Sequence, residues 1–498
     1  MHAALMPNNR VVFLDKLEDL TKVKLPNGRF AMSSEYDIAS NNAVALGYNT
    51  NAFCAGGTFL ADGRLLSMGG NGPLDWLDPT ILDGFDAIRY LDRSNPSQNG
   101  QSWSEPGWKL ASKRWYPSAQ TMPDGSIFVC SGSRNGLDPT VLANNNPTYE
   151  ILNRDGTPRG QNYEMSLLVK NQPYYMYPFI HLLRDGNLFV FTSKSSQIFN
   201  VGANAVVREL PDLIGDYRTY PNTGGSVILP FTSKDGYNPD VLVCGGGAYQ
   251  DITSPTDASC GRINPLNAGA TWDIDAMPQG RGMVEGTLLP DGTVLWLNGG
   301  SRGAQGFELM AEPALEALLY DPAKPKDQRW TTLARSNIPR LYHSVALLLL
   351  DGTVMVTGSN PNEMPKLQPD QKSPYVTDFR VEIFTPPYRQ GNKIKPLNLS
   401  IDNKRIVPAG PLIPIHFRAG TQAKGCKIVL YHGGFVTHSV HMGQRQIELD
   451  FEGWVSGAEW QHLRVYPPPS YNVSPPGPYV IYAVVDFIPS DGQFVTVA

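Results

Sequence analysis

The chain has 498 residues, 41% of them hydrophobic, with 48 glycines, 42 prolines and only 17% charged side chains, against about 25% charged in an ordinary soluble protein. Lys+Arg 41 against Asp+Glu 46 gives a net charge of −5, which excludes a strongly basic nucleic-acid binder. An apolar stretch such as Val345 to Leu350 is far short of a membrane span, and this hydrophobic content excludes a disordered chain.

In chain order, the first segment, Met1 to Asn9, is already patterned like later ones and carries no signal-peptide pattern; a removed leader is expected. A strand, a tight turn and a second strand ending in small residues then recur. The copies include Leu60-Ala-Asp-Gly-Arg-Leu-Leu-Ser-Met-Gly-Gly70, Met122-Pro-Asp-Gly-Ser-Ile-Phe-Val-Cys-Ser-Gly132, Leu183-Arg-Asp-Gly-Asn-Leu-Phe-Val-Phe191, Leu289-Pro-Asp-Gly-Thr-Val-Leu-Trp-Leu-Asn-Gly-Gly300 and Leu350-Asp-Gly-Thr-Val-Met-Val-Thr-Gly358. Asp-Gly is the signature of a two-residue hairpin turn with positive φ. Turn marks at Asn8, Asp62, Asp124, Asp185, Asp235, Asp291 and Asp351 predict seven blades of a kelch-like β-propeller, those at Asn8 and Asp235 being degenerate.

After Phe384-Thr-Pro-Pro387 the register stops. Strand-like runs at Leu412–Phe417, Lys427–Tyr431, Gln446–Phe451, His462–Tyr466 and Tyr479–Phe487 follow, punctuated by turn residues. They predict an antiparallel β-sandwich of immunoglobulin-like type. No segment has a helical period. The expectation is an all-β chain with a propeller over residues 1–387 and a sandwich over 388–498.

The repeat register also places chemistry. Eight residues before the turn Asp stand Cys54, Tyr116, Tyr177, Met283 and His343. Equivalent positions of a propeller lie at equal height and radius about one axis, so Cys54, Tyr116 and His343 are expected to face one point in the central channel. Singly, each residue is more often a packed core group than a functional one, and Tyr342 and His343 would point to opposite faces of a regular strand. Together, thiol, phenol and imidazole suit a transition metal, copper or iron before calcium or magnesium. The segment Phe435-Val-Thr-His438-Ser-Val-His441 follows a Gly-Gly turn at the tip of a hairpin that could reach the propeller.

Four of these stretches, Asn51-Ala-Phe-Cys-Ala-Gly-Gly57, Arg114-Trp-Tyr-Pro-Ser118, Pro339-Arg-Leu-Tyr-His-Ser344 and Gly434-Phe-Val-Thr-His-Ser439, resemble the copper radical oxidases, the family of galactose oxidase and glyoxal oxidase, and most of all its glyoxal oxidase branch. Val243-Cys-Gly-Gly246 and Asn360-Pro-Asn362 resemble that branch too. The resemblance implies one copper ion per chain, with Tyr116 a ligand joined to Cys54 through a thioether as a protein-derived radical cofactor. It implies Tyr342 as the axial tyrosine and His343 and His438 as imidazole ligands; His441 competes in its loop, and the Thr-His-Ser-Val match favours His438. The implied reaction oxidises a small aldehyde to a carboxylic acid while O2 becomes H2O2.

The sequence departs from galactose oxidase where that enzyme covers the thioether with tryptophan: the corresponding stretch places Arg134 there. Tyr249, Gln250 and Phe307 resemble substrate-side positions, and Arg218 and Arg281 align loosely with propeller edges. Two other readings stand beside the aldehyde oxidase: a copper radical oxidase of primary alcohols, and a kelch protein that only binds a partner. The expected setting is a secreted monomer whose partners are a small aldehyde or alcohol and O2, without nucleic acid or membrane. Sequons place candidate glycans at Asn398 and Asn472. Among five cysteines, Cys54 would be consumed by Tyr116 and Cys244 and Cys260 are the disulfide candidates. Cys130 and Cys426 are read as buried thiols, a bond between them being the alternative.

Overall fold

The computed structural model describes residues 1–136, 138–304, 308–371, 373–391 and 393–498. Among the described residues seven antiparallel blade sheets succeed one another along the first part of the chain, with a two-stranded ribbon, Gly300–Gly303 and Met310–Pro313, inserted in the sixth. Blade 1 is His2–Leu5, Val11–Leu14, Ser33–Asp37 and Asn42–Leu46; the innermost strands of blades 2 to 7 are Gly56–Phe59, Ser118–Thr121, Phe179–Leu182, Gly225–Ile228, Glu285–Leu288 and Val345–Leu348. The strand His2–Leu5 of blade 1 lies against Val345–Leu348 of blade 7, which closes the ring. Nearly every residue of these inner strands is buried, as expected of short strands covered on both faces. The seven-bladed β-propeller read from the turn marks is therefore present.

The turns differ in type from the expectation. In blade 2, Gly63 N–H donates to Leu60 O and Leu60 N–H to Arg64 O. Only the glycine has positive φ (Gly63 92°, Gly125 83°, Gly186 86°, Gly292 97°, Gly352 81°). A two-residue type I′ turn needs positive φ at both central residues, so these are three-residue turns with a left-handed glycine closing the loop. The aspartate acts through its side chain instead: Oδ1 of Asp62, Asp124, Asp185, Asp291 and Asp351 accepts the N–H two residues on, at 2.9 to 3.1 Å. At the degenerate mark, Asp235 sits in a 3-10 turn of a longer loop between Gly225–Ile228 and Val241–Cys244.

Two further sheets form the C-terminal β-sandwich. One holds Leu397–Ile401, Ile413–Arg418, Trp460–Val465 and Phe451–Glu452; the other holds Arg405–Ile406, Gln493–Val497, Gly477–Val485, Cys426–His432 and Arg445–Leu449. Ile413, Ile415, Phe417, Leu463 and Val465 face Ile428, Leu430, Ile447 and Ile481 in one core. The opposite face of the second sheet presents Val429, Tyr431, Val480 and Tyr482 to propeller residues such as Val227, Leu288 and Leu348.

From this sandwich a hairpin, Phe435–Thr437 and Val440–Met442, enters the central channel. It adds to the inner edge of blade 1 through Ala3↔Val436. Gly57 makes room for it: a Cβ there would lie 2.6 Å from the Phe435 ring.

Cys244 and Cys260 face each other across paired strands and form the disulfide; Cys130 and Cys426 are free thiols. Asn398 is exposed, whereas the Asn472 amide donates to Arg184 O at 3.1 Å and Ser474 of its sequon is fully buried, so the second glycan expectation is not supported by accessibility. Among the described residues no helix is long and apolar enough to cross a membrane.

Candidate metal centre

Each residue of the register series stands two positions before its inner strand, and all five have left-handed backbone: Cys54 φ 54°, Tyr116 67°, Tyr177 44°, Met283 55° and His343 65°. A non-glycine residue held at positive φ costs roughly 1 kcal/mol or more and persists only where its surroundings fix it. Here the fixing is a chain of backbone hydrogen bonds from blade to blade: Tyr116 N–H to Cys54 O at 2.9 Å, Tyr177 N–H to Tyr116 O at 3.0 Å, and Met283 N–H to Thr223 O at 2.7 Å. The same twist explains why Tyr342 and His343 do not diverge to opposite faces. At His343 the strand has not begun, and the two rings lie 3.9 Å apart.

The hairpin brings His438 to this point, also with positive φ. Its Nε2 is 3.5 Å from Cys54 Sγ and 3.2 Å from Tyr342 Oη. Tyr116 Oη and Tyr342 Oη are 3.3 Å apart, and one ligand atom from each of Cys54, His343 and His438 lies within 4.8 Å of the others. All five side chains are at most 2% exposed. His343 Nδ1 faces Asn360 O at 3.1 Å and His438 Nδ1 faces Thr437 Oγ1 at 2.6 Å, which turns the other ring nitrogen of His438 toward Tyr342 and Cys54. Outer hydrogen bonds of this kind fix tautomer and ring orientation in metal sites.

Burial holds both imidazoles well below their ordinary pKa, drives the Tyr116 and Tyr342 phenols well above theirs, and pushes the Cys54 thiol up to about 12. The pocket therefore contains neutral donors packed closely with no carboxylate among them. Two imidazoles, two phenols and a thiol fit a copper ion, which favours nitrogen and oxygen donors of intermediate softness. A cation there would make phenolate formation favourable by opposing the cost of burying the negative charge.

His441, the competing histidine, lies outside this group, with its Nε2 2.8 Å from Glu285 Oε1. Arg134 is exposed on a loop and does not cover Tyr116. That place is taken by Tyr220, which the sequence reading missed: its ring stacks on Tyr116 at 4.2 Å with 23° between planes. Its hydroxyl donates to Tyr116 Oη at 3.1 Å and lies 3.2 Å from Tyr342 Oη. Tyr177, on the register, flanks His438 at 5.0 Å and donates to Ala55 O.

Arg218 and Arg281 are fully buried blade residues rather than substrate-side groups. Arg218 donates to the carbonyls of Ser259 and Gly245 and pairs with Asp257, and Arg281 donates to Glu316 O. Arg114 makes the same kind of contact, to Ser131 O and Thr148 O, so a buried arginine satisfying strand-end carbonyls belongs to the repeat. Tyr249 is 64% exposed and Gln250 is exposed beside it. Phe307 lies outside the described residues.

Comparison with known proteins agrees with this arrangement. The glyoxal oxidase N-terminus family model matches residues 1–388, and the galactose oxidase-like early set domain matches 396–497. An aldehyde oxidase of Arabidopsis thaliana is 31% identical over 100% of this chain and 82% of its own length. One of Vitis pseudoreticulata is 32% identical over 99% and 94%. A galactose oxidase of Gibberella zeae is 24% identical over 92% of this chain and 62% of its own. The solved structure of a fungal alcohol oxidase of the AA5 family, in complex with copper, shares the fold with a TM-score of 0.76 at 19% identity, covering 100% of this chain and 96% of that one. The chain belongs to the glyoxal oxidase family of copper radical oxidases.

Proposed function

We propose that the chain is a secreted oxidase of small aldehydes, of the glyoxal or methylglyoxal type, that converts the hydrated aldehyde to a carboxylic acid while O2 is reduced to H2O2. The observation that carries this reading is the meeting of Tyr116, Tyr342, His343 and His438 around Cys54, from four remote stretches of sequence. Tyr116, Tyr342, His343 and His438 would hold one copper ion, and Cys54 would be joined to the Tyr116 ring by a thioether. Copper, when bound, supplies a one-electron redox partner and acidifies an oxygen bound to it.

The chain's own residues do the rest. A hydrated aldehyde, RCH(OH)2, must lose one hydroxyl proton, the C–H hydrogen atom and one further electron to become RCOOH; the further electron is the one for which a bound copper ion would be the acceptor. Tyr342 takes the hydroxyl proton. Tyr116, as a radical, takes the C–H hydrogen atom and becomes a phenol; the thioether sulfur eases its oxidation by sharing the unpaired spin. The two electrons and two protons then pass to O2, giving H2O2. His343 and His438, kept neutral by burial, offer lone pairs rather than protons. Packing of Tyr220 and Tyr177 around the rings keeps water from quenching the radical. The Cys244–Cys260 bond supports an oxidising, extracellular setting.

The test has three parts: copper analysis of the purified chain, mass mapping of the Cys54 and Tyr116 peptides, and peroxide release with glyoxal and methylglyoxal against benzyl alcohol and galactose. One copper per chain, linked peptides two hydrogens lighter than their sum, and peroxide mainly with the aldehydes are expected. Peroxide mainly with the alcohols would replace the aldehyde substrate by a primary alcohol. A chain with no copper and two unmodified peptides would overturn the enzyme reading.

A further inference from the structure

Of the eight histidines, His2, His181, His343, His432, His438 and His441 are buried. The other two, His416 and His462, face each other on the outer surface of the C-terminal sandwich. They are register partners on the antiparallel strands Ile413–Arg418 and Trp460–Val465. These strands alternate strictly: Ile413, Ile415, Phe417, Gln461, Leu463 and Val465 point into the core, and the histidines stand on the other face. Their rings are 4.8 Å apart and the two Nδ1 atoms are separated by 2.7 Å.

Asp402 gives this pair a direction. Its Oδ2 lies 3.4 Å from His416 Nε2. A carboxylate only accepts, so Nε2 is the protonated nitrogen of His416 and Nδ1 keeps its lone pair, aimed at His462. Without a metal the contact is closed by the His462 Nδ1 proton. If that proton moves to Nε2 of the same ring, both Nδ1 lone pairs are free with no net change in protonation, and a turn of the two surface rings would aim them at one ion. Two imidazole nitrogens each about 2.0 Å from one ion lie about 2.8 Å apart at the right angle of a tetragonal copper(II) site and about 3.3 Å apart at the tetrahedral angle of zinc(II), the first being close to the spacing already present. A carboxylate on the far nitrogen of a ligating histidine is the usual outer support of such sites. The neighbouring cations are neutralised by their own partners, Arg418 by Glu459 and Arg464 by Glu452.

We propose that His416 and His462, oriented by Asp402, form a surface chelate for a transition-metal dication, copper(II) ahead of zinc(II) in affinity, separate from the buried centre. The chelate fills two coordination positions and leaves the others to water or to a ligand on another molecule. It does not depend on the oxidase reading, because it uses none of the residues of the buried group.

The experiment uses the full, untagged chain with its buried centre already loaded with copper. Zinc(II) titration by calorimetry and retention on immobilised copper(II) are measured for the wild type, His416→Ala, His462→Ala and Asp402→Asn. The wild type is expected to bind one zinc reversibly and to be retained by the column. Either histidine variant should lose zinc binding and elute unretained, and Asp402→Asn should bind about tenfold more weakly. Peroxide production should be the same in all four. Zinc binding and retention that survive both histidine substitutions, or a wild type that binds no zinc and is not retained, would overturn the proposal.

Discussion

His441 Nε2 lies 2.8 Å from Glu285 Oε1, with both side chains only 1% exposed. The same carboxylate oxygen accepts the Ala346 N–H at 2.7 Å. Glu285 opens the inner strand of blade 6 and Ala346 lies in that of blade 7, so one carboxylate ties two blades to the sandwich hairpin. His438 stands three residues before His441, at the turn between the hairpin strands. The two histidines of this segment thus divide the work: one anchors the hairpin in the channel and the other meets the cluster of donors.

Removing the anchor should loosen the centre without touching a donor. His441→Ala strips a buried carboxylate of a partner, a loss of about 1–3 kcal/mol. The expected result is a lower denaturant midpoint together with less than one copper per chain. Glu285→Gln, which can still accept a hydrogen bond, should lie between this variant and the wild type on both measures.

Gly57→Ala attacks the same hairpin from the opposite wall. Its Cβ would stand 2.6 to 2.7 Å from three carbons of Phe435, and the inner strand on one side and the hairpin on the other leave little room for a shift. Overpacking of this kind costs typically 1–3 kcal/mol. A reduced melting temperature and reduced copper content are expected, and Gly57→Ala combined with Phe435→Leu should recover part of both.

The stacked Tyr220 separates two effects on the centre. Tyr220→Phe keeps the ring over Tyr116 and removes the hydroxyl that reaches both Tyr116 and Tyr342. Tyr220→Leu removes both. Copper content should stay near one per chain in each, since neither change removes a proposed ligand. The optical band of the proposed Tyr116 radical should shift in the Phe variant and decay several-fold faster in the Leu variant, where the ring shield is gone. Stopped absorbance traces after chemical oxidation make the comparison.

What the sequence made readable followed from local chemistry repeated in register. The Asp-Gly marks count the blades because the glycine must be left-handed and the aspartate caps the following N–H, and both demands are local. The offset of eight residues found Cys54, Tyr116 and His343 because propeller symmetry turns equal offsets into one height. In blade 5 the mark at Asp235 sits inside a longer loop, so the offset points to Val227 within a strand, and Tyr220 escapes any such offset because it lies three residues before the register position. The residue at the equivalent place is Thr223, whose carbonyl accepts the Met283 N–H. Arg218 and Arg281 misled for the reverse reason. An arginine in the repeat looks functional in sequence, but each of these is fully buried and donates to backbone carbonyls of its own blade, Arg218 to Gly245 and Ser259 and Arg281 to Glu316.

Histidines buried away from the centre also set an acid limit on stability. Burial, helped by the charge of Arg445, lowers His181 to about 3. Burial lowers His432 to about 4, against the opposing hydrogen bond to Pro478 O. In the unfolded chain both titrate near 6.5, so below that pH the unfolded state binds protons that the folded state refuses. Unfolding free energy should therefore be flat in these two groups above pH 7. It should fall as pH drops from about 6.5 toward 4, by up to about 1.4 kcal/mol per pH unit for each histidine. Urea titrations at pH 7, 6 and 5 measure the slope. His181→Gln and His432→Gln should each reduce it by about one proton, and an unchanged slope in both would mean that these imidazoles are not the groups being forced to charge.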